Sequence, residues 1–255
     1  MTISQSWLAD RTAEFLASLA FCTRLPLTRT TPVVGNALAR AAWAFPLAGL
    51  VVGLIGAIVY ALAHKLGLPP WPASALAVAA TVLATGALHE DGLADTADGF
   101  GGGATHEQKL DIMRDSHIGV YGVCAVALSL LLRIAALASM PNGHLAVWAL
   151  IASHAAARAT VPSLMLLLPP ARSDGLSFDA GRPPSDGIAA AAALGFVILA
   201  FCLHLGRAIV ALIFLLIVVA LMMWLSRRQI EGQTGDVLGA LEQVSEIAIL
   251  LVALG

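Results

Sequence analysis

Long apolar blocks, broken by polar connections, constrain this chain more than any other feature. A bilayer core about 30 Å thick takes roughly 20 apolar residues per helix. Trp43–Ala63, Ala73–Leu88, Gly119–Ser139, Leu145–Leu168, Ile188–Leu205, Ala208–Leu225 and Val237–Leu254 approach that requirement. Inside lipid every backbone amide must find a partner within its own segment, so such blocks are read as helices. The fold class expected is therefore all-α, a polytopic integral membrane helical bundle with about seven transmembrane helices, forming a single membrane-embedded domain over residues 1–255. Composition supports this: 59% of residues are hydrophobic and 12% charged, against about 25% charged in soluble chains. Residues 11–25 form an amphipathic lead-in suited to the membrane surface.

The connections alternate in character. Residues 64–72, 140–144 and 206–207 are short and carry no acidic group, whereas about 89–118, 169–187 and 226–236 are longer and polar. Of the 14 Lys and Arg residues, ten fall on the side of the long loops: Arg11, Arg24, Arg29, Arg40, Lys109, Arg114, Arg172, Arg182, Arg227 and Arg228. Only Lys65 and Arg207 fall on the other, and Arg133 and Arg158 lie within spans. The positive-inside rule then places the N-terminus and the long loops in the cytoplasm of a multi-pass protein of the cell inner membrane. A net charge of −2 argues against nucleic acid as a partner. Cys22, Cys124 and Cys202 lack metal-ligand spacing and read as small hydrophobes. No cleavable signal peptide is evident, and no paired broken helices suggest an inverted-repeat transporter. The lipid bilayer is a partner by composition; nothing in the sequence excludes an oligomer.

The acidic residues are not spread evenly. Seven of the 16, namely Glu90, Asp91, Asp95, Asp98, Glu107, Asp111 and Asp115, fall in one segment, and none precedes it after Glu14. At about 100° per residue, Asp91, Asp95 and Asp98 occupy an arc of roughly 60° on a helix. Three ionised carboxylates on so narrow a face repel one another unless a cation sits among them. A hard divalent ion with oxygen ligands answers this best, and Mg²⁺ commonly takes one or two carboxylates plus phosphate oxygens. Asp91, Asp95 and Asp98 are thus the candidate Mg²⁺ ligands. The bland alternative is a solvated acidic face. Gly92, Gly99, Gly101, Gly102 and Gly103 weigh against it, because they interrupt an ordinary surface helix and permit close backbone approach or anion-facing amides. Asp115, at the entrance to the following span, stands out from Glu107 and Asp111, which a plain amphipathic helix explains. His89, His106 and His117 match no common zinc spacing and read as surface histidines.

Further polar residues lie within apolar runs. Arg133 and Arg158 fall inside spans, where arginine costs about 2.5–3.5 kcal/mol on insertion scales and faces the bundle interior. A phosphate contact and a structural ion pair are equally consistent with them. Glu242 and Glu246 share a helix face and could neutralise these arginines or face a second cation. Thr234 and Asp236 stand where the last span begins, with Asp236 suited to capping it.

The stretch HEDGLADTADGFGGG, followed by IMRDSHIGVYG, resembles the signature of the cobalamin synthase family, whose activity is adenosylcobinamide-GDP ribazoletransferase. FCTRLPL with FPLAGLVVGLIGAI, SHAAAR with LPPARSDGL, and TGDVLGA followed by Glu242 match the family in order, so the resemblance spans nearly the whole chain. His117, Pro170 and Glu231 depart from the family's usual Arg, Tyr and Gly. The resemblance implies a Mg²⁺-dependent membrane enzyme that joins adenosylcobinamide-GDP to α-ribazole or α-ribazole 5′-phosphate and releases GMP. Under it, Asp91, Asp95, Asp98 and Asp115 are catalytic, with Asp98 or Asp115 as acceptor of the hydroxyl proton. Glu90, Arg158, Arg172, Thr234 and Asp236 are substrate-binding.

Two other readings compete. A CDP-alcohol phosphotransferase uses a related aspartate motif, but here Asp95 stands where that family has Arg, and the later spacing fails. A transporter could use Arg133, Arg158, Glu242 and Glu246 as a pathway, yet the densest polar cluster lies at the membrane face.

Overall fold

A computed structural model describes residues 3–26 and 37–255. Leu27 of the FCTRLPL stretch and Arg29 of the charge asymmetry lie outside the described residues. The helices are α1 (Ile3–Cys22), α2 (Ala37–Ala41), α3 (Phe45–Lys65), α4 (Pro70–Thr85), α5 (Leu88–Gly102), α6 (His106–Ile112), α7 (Val120–Ala138), α8 (Gly143–Leu167), α9 (Leu176–Ala180), α10 (Ser185–Ile230) and α11 (Gly235–Leu254). A short 3-10 turn, Ala42–Ala44, leads into α3.

Local chemistry sets the ends. Asn142 accepts the amide hydrogen bond of Leu145 (2.8 Å) at the start of α8, and Thr234 accepts that of Val237 (3.3 Å) at the start of α11. Prolines occupy the first turns of α3 and α4, where their missing N–H costs nothing.

Helix α8 is the centre of the bundle, because 83% of its most apolar window is buried, against 17% for α10, which presents its apolar surface outward. Small residues make this centre close-packed. A Cβ on Gly53 of α3 would lie 2.7 Å from the Leu150 carbonyl oxygen of α8, so only glycine lets the two backbones approach this far. Helix α1 packs on α3 instead of lying free. Glu14 holds Arg11 (2.9 Å) and accepts the indole N–H of Trp43 (2.7 Å), while Leu19 and Cys22 are buried.

Five described helical segments are long and apolar enough to cross a membrane, or six if the bent pair α4–α5 counts as one. Seven spans are not reached by that count. The difference lies in residues 185–230, expected as two spans and found as 46 residues of helix broken by a non-helical His204 (φ 65°, ψ 158°). A straight helix of that length would run about 69 Å at 1.5 Å per residue. Both of its ends instead meet the same segment. Arg182 donates to the Leu166 carbonyl (2.8 Å) just before α10. Beyond it, Gln233 and Pro169 are joined backbone to backbone (2.9 Å). The chain therefore leaves and returns on one side.

Candidate active site

The site begins at a sharp bend. Gly86 and Ala87 both adopt left-handed backbone (φ 69° and 60°), ending α4 and turning α5 by 88°. With four carboxylates in 15 residues, α5 does not continue the span but lies across the end of the bundle against α11 and α7. The expected loop of residues 89–118 is thus largely helix, and of the two uses anticipated for its glycines only one is met. Helix α5 runs unbroken through Gly92, Gly99 and Gly101, so their amides do not form an open anion cradle. What they provide is close approach. A Cβ on Gly92 would stand 2.8 Å from the Asp236 carbonyl oxygen, and one on Gly99 2.9 Å from that of Lys109.

The three aspartates of α5 have different surroundings. Asp91 is exposed, Asp95 half-buried and Asp98 buried. Both oxygens of Asp98 are engaged: one accepts the Gly119 amide (2.7 Å) and the other the Gly122 amide (2.9 Å). Asp98 therefore caps the N-terminus of α7 from another helix, satisfying two of its orphan donors and its positive dipole end. Asp95 sits in the strongest negative field. Burial first, then the charges of Asp91, Asp236 and Asp98, push its carboxyl up to about 7, against a smaller opposing effect of Arg172. Arg172 bonds Asp236 (3.1 Å), and Thr234 donates to the same Asp236 oxygen (3.1 Å).

The structure thus brings Asp91, Asp95, Asp236, Thr234 and Arg172 to one end of the bundle. Asp115 is not held with them. It is exposed and bonded to the His117 ring (2.6 Å) and amide (3.0 Å), which hold its carboxyl below the usual range.

Beneath this surface lies a layer of buried charge. Arg133 bonds Glu90 (2.8 Å) and Glu246 (3.4 Å), and Arg158 meets Glu242 (2.6 Å). Arg158 also donates to His89 Nδ1 (3.3 Å), which leaves the neutral ring's proton on Nε2. Four helices, α5, α7, α8 and α11, are tied together this way. The acidic residues of α11 do neutralise the arginines of α7 and α8. Two sequence expectations change here. His89 is not a surface histidine but is 6% exposed, and Glu90 faces Arg133 and not the cleft. Among the described residues, one group of three side chains has ligand atoms within 4.8 Å of one another: His154, Glu242 and Glu246. Two arginines already neutralise it.

A cleft of about 900 Å³, open to solvent, connects these features. Its polar lining includes His89, Asp91, Arg158, Arg172 and Asp236. Phe21, Leu38, Phe45, Val161, Met165 and Leu238 supply apolar wall. Sequence reasoning found the aspartates of α5 by their spacing and Arg133 and Arg158 by their cost in lipid, whereas Arg172 came only with the family resemblance. It missed the apolar wall, since Phe21 and Leu38 carry no signal that separates them from core. The charges of Asp91, Asp236 and Asp98 act together on Asp95, with Arg172 opposing them, and such a field suits a cation. The ligand oxygens of Asp91, Asp95 and Asp236 do not gather within 4.8 Å of one another, and Asp98 has its oxygens turned to α7.

A multi-helix membrane protein with a carboxylate-lined cleft at one end of its bundle is the class these observations define. The chain belongs to the cobalamin-5-phosphate synthase family, whose model matches residues 14–254. It is 55% identical over 241 residues to an adenosylcobinamide-GDP ribazoletransferase of Bradyrhizobium diazoefficiens, covering 94% of this chain and 93% of that one. It is 53% identical over 253 residues to one of Mesorhizobium japonicum (99% and 96%). To one of Brucella ovis it is 38% identical over 249 residues (93% and 95%). No solved structure matches it.

Proposed function

We propose that this chain transfers the adenosylcobinamide phosphate moiety from adenosylcobinamide-GDP to α-ribazole or α-ribazole 5′-phosphate, releasing GMP. The observation that carries this is the meeting of Asp91, Asp236 and Arg172 on one cleft, with Asp95 in the field of all three, in a chain so similar to enzymes named for that transfer. A ribose hydroxyl forms a new bond to the phosphorus that carries cobinamide, and the bond from that phosphorus to GMP breaks. Such a transfer depends on charge neutralisation and in-line positioning more than on covalent help from the protein.

In this reading Asp91 and Asp95, with Asp236 beside them, would hold Mg²⁺, which would supply positive charge against the diphosphate. Arg172 presents a planar fork of donors to the phosphate oxygens, and its Nη1 is buried without a partner, ready for one. Arg158 forms the cationic floor, held in place by Glu242. Asp98 orients the α5–α7 corner. Asp115 is a poor base, because the bonds from His117 stabilise its charged form. Thr234 fixes Asp236. We place the N-terminus and this end of the bundle on the cytoplasmic side of the cell inner membrane, in line with the charge asymmetry.

The test is direct: membranes bearing the chain are incubated with adenosylcobinamide-GDP, α-ribazole and Mg²⁺, and cobalamin and GMP are measured. Folded protein that yields neither product removes the assignment. Asp91→Asn and Asp95→Asn are expected to abolish turnover with expression retained.

A further inference from the structure

Arg172 stands on the connection between α8 and α9, not on a helix. Nothing local to that connection holds it still. Gly175 takes left-handed backbone (φ 89°), and α9, which follows, is five residues long. A glycine loosens the chain, and so short a helix is not stable by itself. Yet a side chain that meets a phosphate oxygen must present its donor at a fixed place. The Nη1 of Arg172, buried without a partner, is the donor in question.

Gln233 supplies the hold. Its carbonyl accepts the amide of Ala171 (2.9 Å), directly before Arg172. Its side-chain Oε1 accepts the hydroxyl of Ser177 (2.6 Å), beyond Gly175. Its own amide donates to the Pro169 carbonyl (2.9 Å). One residue therefore ties both ends of segment 172–176. The two stretches of chain lie so close that a Cβ on Gly232 would stand 2.6 Å from the Pro169 carbonyl oxygen. Ser177 and Gln233 are 6% and 2% exposed, so water does not compete for their bond. A further tie, Asp174 to Arg114 (2.5 Å), is exposed at both residues and contributes little. Thr234, next to Gln233 in the chain, bonds Asp236, the partner of Arg172. Both members of the Arg172–Asp236 pair are thus set from one point.

We propose, resting on the function proposed above, that Gln233 is a positioning residue for the transfer: through Ser177 it holds Arg172 beside Asp236, so that Nη1 stays available to the phosphates of adenosylcobinamide-GDP. Gln233 lies in a small pocket that it shares with Arg172, Ser177 and Thr234. It acts through Arg172 and not by meeting substrate itself.

Ser177→Ala and Gln233→Leu each remove the side-chain bond and leave the backbone ties, so either variant alone decides. Each is expected to lower kcat/KM for adenosylcobinamide-GDP about tenfold, while KM for α-ribazole, which carries no phosphate, moves by less than about twofold. Arg172→Lys has already lost the planar fork, and in that background Ser177→Ala should cost less than about twofold more. Phenylglyoxal labelling of the full chain reads Arg172 apart from turnover. Its rate relative to the exposed Arg227, followed by mass spectrometry, should rise about fivefold in either variant. Unchanged labelling in the folded variants overturns the proposal, and so does a Ser177→Ala loss that is equally large with Arg172 and with Lys in its place. A wild-type chain that makes no cobalamin, but whose Arg172 labels faster once Ser177 or Gln233 is replaced, would instead leave the hold on Arg172 standing and defeat the proposed function.

Discussion

Replacing Asp95 by Asn separates a cation site from an ordinary acidic surface, using stability instead of turnover. Asp95 has its carboxyl pushed from 3.8 to about 7 by burial and by Asp91, Asp236 and Asp98. The nominal cost of holding it ionised at neutral pH is about 4 kcal/mol. Because the side chain is half exposed, solvent screening reduces this to roughly 1–2 kcal/mol. A folded-state value above the unfolded one means that the folded chain binds the proton more tightly. Stability is therefore greatest below about pH 4, falls as pH rises towards 7, and levels off above it.

With metal removed by EDTA, Asp95→Asn should raise stability at pH 7.5 by that 1–2 kcal/mol and flatten the slope between pH 4 and 7. Millimolar Mg²⁺ should reverse the order. A ligand at about 100 times its dissociation constant stabilises by about 2.7 kcal/mol, and the wild type should gain this where the variant does not. Thermal denaturation in detergent, with and without Mg²⁺ across pH, reads both effects. Destabilisation of the variant in EDTA, or equal Mg²⁺ stabilisation of both proteins, would show that the carboxylates do not compete for a shared ion.

Other perturbations test separate parts of the architecture. Asp98→Asn leaves one of the Gly119 and Gly122 amides facing an amide nitrogen, and should cost about 2–4 kcal/mol in denaturation whether or not Mg²⁺ is present. Arg133→Met strands Glu90 and Glu246 in the interior and should cost about 3–5 kcal/mol, with Arg133→Met/Glu246→Gln recovering part of it; the same melts check it. Gly92→Ala forces α5 away from the Asp236 backbone, at about 1–3 kcal/mol, and should raise the Mg²⁺ concentration needed for half-maximal turnover.

The helical layout was legible because apolar length is a local property: α3, α7, α8 and α11 fall within a few residues of the blocks read from the sequence. The fold-back inside residues 185–230 was legible for the same reason, since His204, Gly206 and Arg207 interrupt the run. The bend before α5 was not, because Ala87 gives no sign of a left-handed backbone; the α4–α5 geometry imposes it. Asp91, Asp95 and Asp98 could be grouped by helical phase, but phase does not reveal that Asp98 meets the amides of α7, 21 and 24 residues away. Asp236 came to the carboxylates of α5 through a contact with Gly92, distant along the chain, and the place at the entrance to a span that singled out Asp115 says nothing of the His117 ring that holds it. His89 looked like surface because its partners, Arg158 and Glu242, come from two other helices.

The tie between α5 and the spanning helices has a consequence for how such a protein is studied. Helix α5 is moored by His89 and Glu90 to charges carried on α7, α8 and α11, so a change in the lean of those three moves the aspartates above them. Lipid sheets thinner or thicker than the apolar length of a helix alter its tilt. Acyl-chain length thereby becomes a kinetic variable, and rates taken in short-chain detergent should differ from rates in native lipid even though every residue is the same.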